Sequence, residues 1–136
     1  MPIGRVARPR AASVLDASAL MAHLNEERGA TAVRKAMKAG AAISVANWAE
    51  VLSNVAMAGG DPGQLAADLR PAVIVQPITS ADCIEIAKLR PTTREHGLSL
   101  ADRACLVLAA RLNVPALTAD SAWGRAEVQA EVRLIR

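Results

Sequence analysis

The chain has 136 residues, of which 52% are hydrophobic, and it carries a net charge of +3. This length and apolar content predict one compact domain with its own core. No apolar run approaches the roughly 18 residues that a membrane span needs, and the basic N-terminus is not followed by the apolar stretch of a secretory signal. We therefore expect a protein that makes no use of a membrane.

The positive charge is concentrated at one end of the chain. Arg5, Arg8 and Arg10 lie in residues 1–12, which contain no acidic residue, so residues 13–136 are neutral overall. We interpret residues 1–12 as a basic, flexible N-terminal arm and residues 13–136 as a single domain. A short arm of this kind is weak evidence for a nucleic-acid partner.

Cysteine and histidine give no sign of a zinc site or of a disulfide framework. Cys83 and Cys105 are 22 positions apart, a spacing typical of neither. We expect both to be buried, reduced thiols of a cytoplasmic protein.

Short apolar strands alternate with helices along the whole chain. Residues 12–15 predict a first strand, and a helix follows from Asp16 to about Arg28. "ATAVRKAMKAG" predicts a second helix that stops at its glycine, "AAISVA" a strand, and "NWAEVLSNVAMAG" a third helix. "DPGQLAADLR" predicts a helix with aspartate as N-cap and proline at its first position.

The second half continues the same alternation. "AVIVQPI" predicts a strand, and "SADCIEIAKLR" a helix that closes before Pro91 and leads into a loop. A helix from Ser99 to about Leu112, the strand "VPALTA", the helical turn "DSAWGRAE" and the strand "VRLI" complete the chain. This order predicts an α/β fold, with a mostly parallel sheet covered by helices on both faces.

Four acids follow or face the predicted strand ends. Asp16 comes after the first strand, Glu50 lies one turn into the helix after the second, Asp102 begins the helix before the fourth, and Asp120 follows that strand. Ligands of open α/β sheets bind at the carboxyl ends of the strands. Each acid also has a purely structural interpretation, as an N-cap or as the acid of a capping box (Asn47 with Glu50, Ser99 with Asp102).

Taken together, four carboxylates at one sheet edge would repel one another unless a cation lay among them. Oxygen ligands without cysteine or histidine favour Mg²⁺ or Mn²⁺, and such a site suits hydrolysis of phosphodiesters. Two other classes stay open: a receiver-like Mg²⁺-binding signalling module, and a binding protein with little catalysis.

"VLDASAL", "NWAEVLS" and "LSLADRACLVLAARLNVPALTAD" with the tryptophan that follows resemble the PIN-domain family over roughly residues 13–136. Within that family the closest likeness is to VapC-type toxin ribonucleases of bacterial toxin–antitoxin modules. The resemblance implies a three-layer α/β/α sandwich, an acidic pocket that holds Mg²⁺ or Mn²⁺, and endonucleolytic cleavage of RNA such as tRNA or ribosomal RNA.

The resemblance also assigns residues and partners. Asp16, Glu50, Asp102 and Asp120 match the acidic quartet, with Asp16, Asp102 and Asp120 as metal ligands. Two hydroxyl residues, Ser18 and Thr118, match supporting positions. A cognate antitoxin and a homodimer are the implied protein partners.

Overall fold

The computed structural model describes residues 10–136, so most of the predicted N-terminal arm lies outside the described residues. The strands are β1 (Ser13–Leu15), β2 (Ala41–Ser44), β3 (Ile74–Gln76), β4 (Ala116–Thr118) and β5 (Val132–Leu134). The helices are α1 (Ala17–Leu24), α2 (Ala30–Ala39), α3 (Val45–Met57), α4 (Pro62–Leu69), α5 (Ser80–Thr93) and α6 (Leu100–Leu112). Short 3₁₀ turns occupy Arg94–His96 and Ser121–Arg125.

The five strands form one sheet in the order β3-β2-β1-β4-β5, and every pair in it is parallel. In the centre, Val14 lies between Ala42 of β2 and Ala116 of β4. The predicted α/β class with a parallel sheet is therefore confirmed. The receiver-like alternative is wrong, because doubly wound receiver domains have the strand order 2-1-3-4-5.

Side chains alternate between the two faces of the sheet, as the pleat of a strand requires. Leu15 and Ile43 point into a core shared with α1, α2, α3 and α4. Their neighbours Val14 and Ala42 point into a second core, which Leu106 of α6 and Trp123 help to fill. The sheet is thus the middle layer of a three-layer sandwich, and its strands are apolar on both faces because helices cover both.

Several element boundaries differ from prediction, and α1, for example, ends at Leu24 rather than at about Arg28. Helix α3 begins at Val45 rather than Asn47, because the Ser44 hydroxyl caps it by accepting from the Asn47 amide. Helix α5 continues through Pro91 to Thr93 instead of closing before the proline. Hydroxyls of Thr92 and Thr93 donate to the carbonyl of Leu89, at 3.2 and 2.6 Å, and this supplies the last turn with bonds that do not depend on the proline.

The predicted cap of α4 is confirmed, but one of the two cysteines is not buried as predicted. Asp61 caps α4 with Pro62 at the first helical position, as predicted. Cys105 is buried, but Cys83 lies on the outer side of α5 and is exposed, so the prediction of two buried thiols is wrong for Cys83. No helix within residues 10–136 is long and apolar enough to cross a membrane.

Candidate active site at the carboxyl ends of β1 and β4

The topology of the sheet opens a crevice between β1 and β4. From β1 the chain moves outward to β2 and β3, and then returns across the sheet to β4 on the other side of β1. Connections that leave two neighbouring strands in opposite directions create a binding crevice at their carboxyl ends. Asp16 follows β1 and Asp120 lies two residues after β4, so both belong to this edge.

Asp16 is the most deeply held of the four acids. It is the N-cap of α1 and only 3% of its surface is exposed. Its Oδ1 accepts from the Ala19 amide at 2.8 Å and from the Ser18 hydroxyl at 2.7 Å, and its Oδ2 accepts from the Thr118 hydroxyl at 2.6 Å. The capping role and a place in the crevice therefore coexist in one residue.

Ser18 and Thr118 fasten the end of β1 to the end of β4. The Ser18 hydroxyl accepts from the Ala119 amide at 2.9 Å, and the Thr118 hydroxyl accepts from the Asp120 amide at 3.0 Å. Each hydroxyl also donates to Asp16, so each spends its donor and an acceptor site inside the crevice. The two residues fix the position of the Asp16 carboxylate across the sheet.

Burial changes the acidity of Asp16. Loss of solvation, with a smaller contribution from the nearby charge of Asp102, raises its pKa from 3.8 to about 6, against the opposing hydrogen bonds from Thr118, Ala19 and Ser18. The carboxylate is therefore ionised at neutral pH at a cost to the folded state. A cation in the crevice would remove that cost.

Glu50 lies in the middle of α3 and is partly exposed. Burial raises its pKa, and the charges of Asp102 and Asp16 raise it further. The side-chain amide of Asn47, one turn earlier on the helix, opposes this rise in the pKa of Glu50. The ionised form of Glu50 is thus disfavoured by the charges of both Asp16 and Asp102.

At the start of α6, Asp102 both completes a helix cap and places a charge near the crevice. Its Oδ2 accepts from the Ser99 amide at 2.8 Å, while its own amide donates to the Ser99 hydroxyl at 3.1 Å, which completes a capping box. The same carboxylate raises the pKa of both Asp16 and Glu50 through its charge.

Asp120 is connected to the crevice mainly through its backbone. Its carboxylate accepts from the Ala122 amide at 2.9 Å and caps the 3₁₀ turn that follows β4. Its amide donates to Thr118, which in turn donates to Asp16. The carboxylate lies at the rim of the crevice, in contact with solvent.

The residues present fit a hard divalent cation. The donors are carboxylate and hydroxyl oxygens, and the charge of Asp102 disfavours the ionised forms of Asp16 and Glu50. No three His, Cys, Asp or Glu side chains within residues 10–136 lie close enough together to enclose an ion. Mg²⁺ is commonly held by one or two carboxylates with water and substrate oxygens, so it does not need such a cage.

Sequence reasoning missed Ser44 and Asn47 as residues of the site. The Ser44 hydroxyl donates to Asn47 Oδ1 at 2.7 Å, and the Asn47 amide lowers the pKa of Glu50. The spacing contains a signal for this, because Asn47 and Glu50 are three residues apart and share a helix face. The sequence pattern alone instead favours Asn47 as the N-cap.

Comparison with known proteins agrees with this geometry. The model of the PIN domain family matches residues 13–129. A toxin–antitoxin complex from Klebsiella pneumoniae is similar in structure, with a TM-score of 0.63 and 21% identity over 78% of this chain and 84% of that one. VapBC2 of Rickettsia felis, bound to a DNA fragment from its promoter, has a TM-score of 0.69 and 15% identity over 90% and 97%.

VapBC-5 of Mycobacterium tuberculosis, also a toxin–antitoxin member, has a TM-score of 0.58 and 21% identity over 93% of this chain and 98% of that one. At these identities the likeness to solved structures concerns the fold. No curated protein matches the sequence. The fold and its acidic crevice define a PIN-like α/β domain, and with the family model matched over most of its length, the chain belongs to the PIN-domain family.

Proposed function

We propose that the protein is a metal-dependent endoribonuclease and the toxin of a toxin–antitoxin module. One observation carries the proposal: the charge of Asp102 raises the pKa of both Asp16 and Glu50 at the carboxyl edge of the sheet, in a chain of the PIN-domain family. PIN domains are generally nucleases, and the similar structures from Klebsiella and Rickettsia are toxin–antitoxin complexes.

In this proposal Asp16, Asp102 and Asp120 hold Mg²⁺ or Mn²⁺. When bound, the cation supplies an activated water and neutralises charge that develops on the phosphate and the leaving oxygen. Ser18 and Thr118 keep Asp16 fixed, which spares the carboxylate from reorganising as substrate binds. Asp102 and Asp120 stay anchored to backbone amides through their capping bonds, so each presents its remaining oxygen lone pairs from a fixed position.

Glu50 is the residue that accepts a proton from the attacking water. Its raised pKa brings it closer to neutral pH, where a carboxylate is a better general base than at its ordinary acidity. Its partial exposure at the crevice gives water access to it. The domain of residues 13–136 has no net charge to attract RNA, so binding of the phosphate depends on the cation.

The proposed partners follow the similar complexes. An antitoxin protein would occupy the toxin in its resting form, and a homodimer and a cytoplasmic site of action complete the proposal. RNA such as tRNA or ribosomal RNA is the substrate proposed for the free enzyme.

The test is cleavage of total cellular RNA by the purified chain, freed of any co-purified antitoxin, in Mg²⁺, Mn²⁺ or EDTA. We expect discrete fragments with either metal, none in EDTA, and a loss of at least about 100-fold in rate for Asp102→Asn. Asp61→Asn is the matched control, since Asp61 also caps a helix but belongs to the α3–α4 connection. A stable, correctly folded chain that cleaves no RNA with either metal would contradict the proposal, and would favour the binding protein with little catalysis.

A further inference from the structure

Asn47 carries a buried amide that the fold leaves incompletely bonded. The side chain is fully buried, with 0% of its surface exposed. Its Oδ1 accepts the proton of the Ser44 hydroxyl at 2.7 Å, but its Nδ2 meets no acceptor at hydrogen-bond geometry in the described part of the chain. A buried donor without a partner lowers the stability of a fold. Asparagine at this position therefore weakens the fold unless its amide serves something else.

Glu50 is the acid that shares α3 with Asn47. The two residues lie one turn apart on the same face of the helix. The Asn47 amide lowers the pKa of Glu50, in opposition to burial and to the charges of Asp102 and Asp16. Its Nδ2 forms no hydrogen bond to another group in residues 10–136, so its protons remain available to the Glu50 carboxylate.

Ser44, at the end of β2, sets the orientation of the Asn47 amide. Ser44 is the last residue of β2 and the N-cap of α3, and it is buried. Its hydroxyl accepts from the Asn47 backbone amide and gives its only proton to Asn47 Oδ1. With Oδ1 engaged in this way, Nδ2 is the part of the amide left for Glu50.

We propose that Asn47 is a positioning residue, which holds the ionised Glu50 carboxylate in the crevice through its Nδ2, while Ser44 fixes the direction of the amide. This inference rests on the proposed function of Glu50 as proton acceptor. A neutral amide is suited to the task, because it orients a carboxylate without cancelling its charge. A lysine or arginine at the same place would pair with Glu50 and lower its pKa, which would make it a weaker proton acceptor.

The first test does not require activity. The pKa of the Glu50 carboxyl is followed by NMR in EDTA for the wild type, for the near-isosteric Asn47→Leu, and for Asn54→Leu as matched control. Asn54 lies on the same helix but is exposed. We expect the Glu50 pKa to rise in Asn47→Leu and to stay unchanged in Asn54→Leu. An unchanged pKa in a folded Asn47→Leu chain would overturn the inference.

If Asn47→Leu does not fold, Ser44→Ala replaces it, because that variant retains the amide and removes only what orients it. We then expect a smaller rise of the Glu50 pKa, and no rise would overturn the inference. The second test compares RNA cleavage across pH. We expect kcat of Asn47→Leu to fall roughly tenfold with KM nearly unchanged, and the acidic limb of its pH profile to move to higher pH.

The two proposals fail separately. A wild type that cleaves no RNA would contradict the nuclease, while the NMR titration would still decide whether Asn47 holds Glu50. A wild type that cleaves RNA, beside an Asn47→Leu variant with unchanged kcat and pH profile, would remove Asn47 from the mechanism and leave the nuclease in place.

Discussion

At the scale of single residues, Asp16 shows how one carboxylate serves both the fold and the site. It caps α1 and closes the gap between β1 and β4, yet burial makes its charge unfavourable. A group held ionised against its environment is typical of functional positions. Its unfavourable charge has a measurable consequence for stability.

In EDTA, the contribution of Asp16 to the free energy of unfolding falls as pH rises. The ordinary pKa of this carboxyl is 3.8 and burial raises it to about 6 in the folded chain, so the folded state binds the proton more tightly. The stability that Asp16 contributes is complete below about pH 4 and is lost between about pH 4 and 6. One pKa unit corresponds to about 1.4 kcal/mol, so this difference in pKa limits the loss of stability to about 3 kcal/mol.

Asp16→Asn is therefore expected to be more stable than the wild type at pH 7 in EDTA, by about 1–2 kcal/mol, since some hydrogen bonds are weakened by the change. Urea unfolding at pH 4 and pH 7 measures the difference, which should shrink at pH 4. Added Mg²⁺ or Mn²⁺ should stabilise the wild type and not the variant. A variant that is less stable than the wild type at pH 7 would contradict the unfavourable charge of Asp16.

At the scale of elements, variants in the first turn of α6 distinguish the effect of a helix cap on stability from the effect of a carboxylate charge on cleavage. The Ser99 hydroxyl caps the helix, and the Asp102 carboxylate caps the preceding amide while it faces the acidic cluster. We expect Ser99→Ala to lower the free energy of unfolding by about 1 kcal/mol and to retain most RNA cleavage. Asp102→Asn keeps an oxygen acceptor for Ser99, so we expect a small loss of stability and a large loss of cleavage.

Thr79→Ala is the control for this pair, because Thr79 forms the equivalent capping box with Asp82 at the start of α5. It should cost a similar ~1 kcal/mol and leave cleavage intact. Thermal unfolding and the rate of RNA cleavage, measured on the same preparations, decide the matter. If the fraction of unfolded chain fully accounted for the loss of RNA cleavage in Asp102→Asn, Asp102 would act only as a cap.

The elements themselves were largely predictable, and so was the edge on which the acids lie. Strands such as β1 and β3 are short apolar runs between turn residues, and parallel strands place their carboxyl ends together. The start of α3 was not predictable, because Ser44 and Asn47 are both good caps and only packing of β2 selects Ser44. The continuation of α5 past Pro91, where the hydroxyls of Thr92 and Thr93 donate to the Leu89 carbonyl, runs against the local rule that a proline closes a helix.

Side-chain direction in the site was the least predictable feature. Spacing placed Asp102 and Asp120 at the right edge, but their carboxylates bind the amides of Ser99 and Ala122. Whether an acid at a helix start faces its own backbone or its neighbours depends on tertiary distances that no local pattern contains. The direct bond from Thr118 to Asp16, between residues 102 positions apart, is of the same kind.

At the scale of the whole molecule, the reactivity of the two thiols measures how well the core is protected from reagents in solution. Cys83 is exposed, whereas Cys105 is buried in the core between α6 and the sheet, where burial and the charges of Asp16, Asp102 and Glu50 raise its pKa. The thiolate is the form that reacts with alkylating reagents. We expect one labelled thiol per native chain at neutral pH and two in denaturant.

Cys83→Ser serves as the control for labelling. Mass spectrometry should find almost no native label in this variant, and one label after unfolding. Rapid modification of Cys105 in the native state, at a rate similar to Cys83, would contradict the closed core.

The order of strands in the sheet also has a consequence for synthesis. β1 is among the first described elements to leave the ribosome, but its neighbour β4 is translated about a hundred residues later. Such distant pairings form slowly, and they cannot form before the second partner exists. A growing chain therefore has no complete crevice until Thr118 and Asp120 emerge. If the protein is the nuclease proposed here, the nascent chain is inactive for most of its synthesis, and activity begins only when the domain is complete.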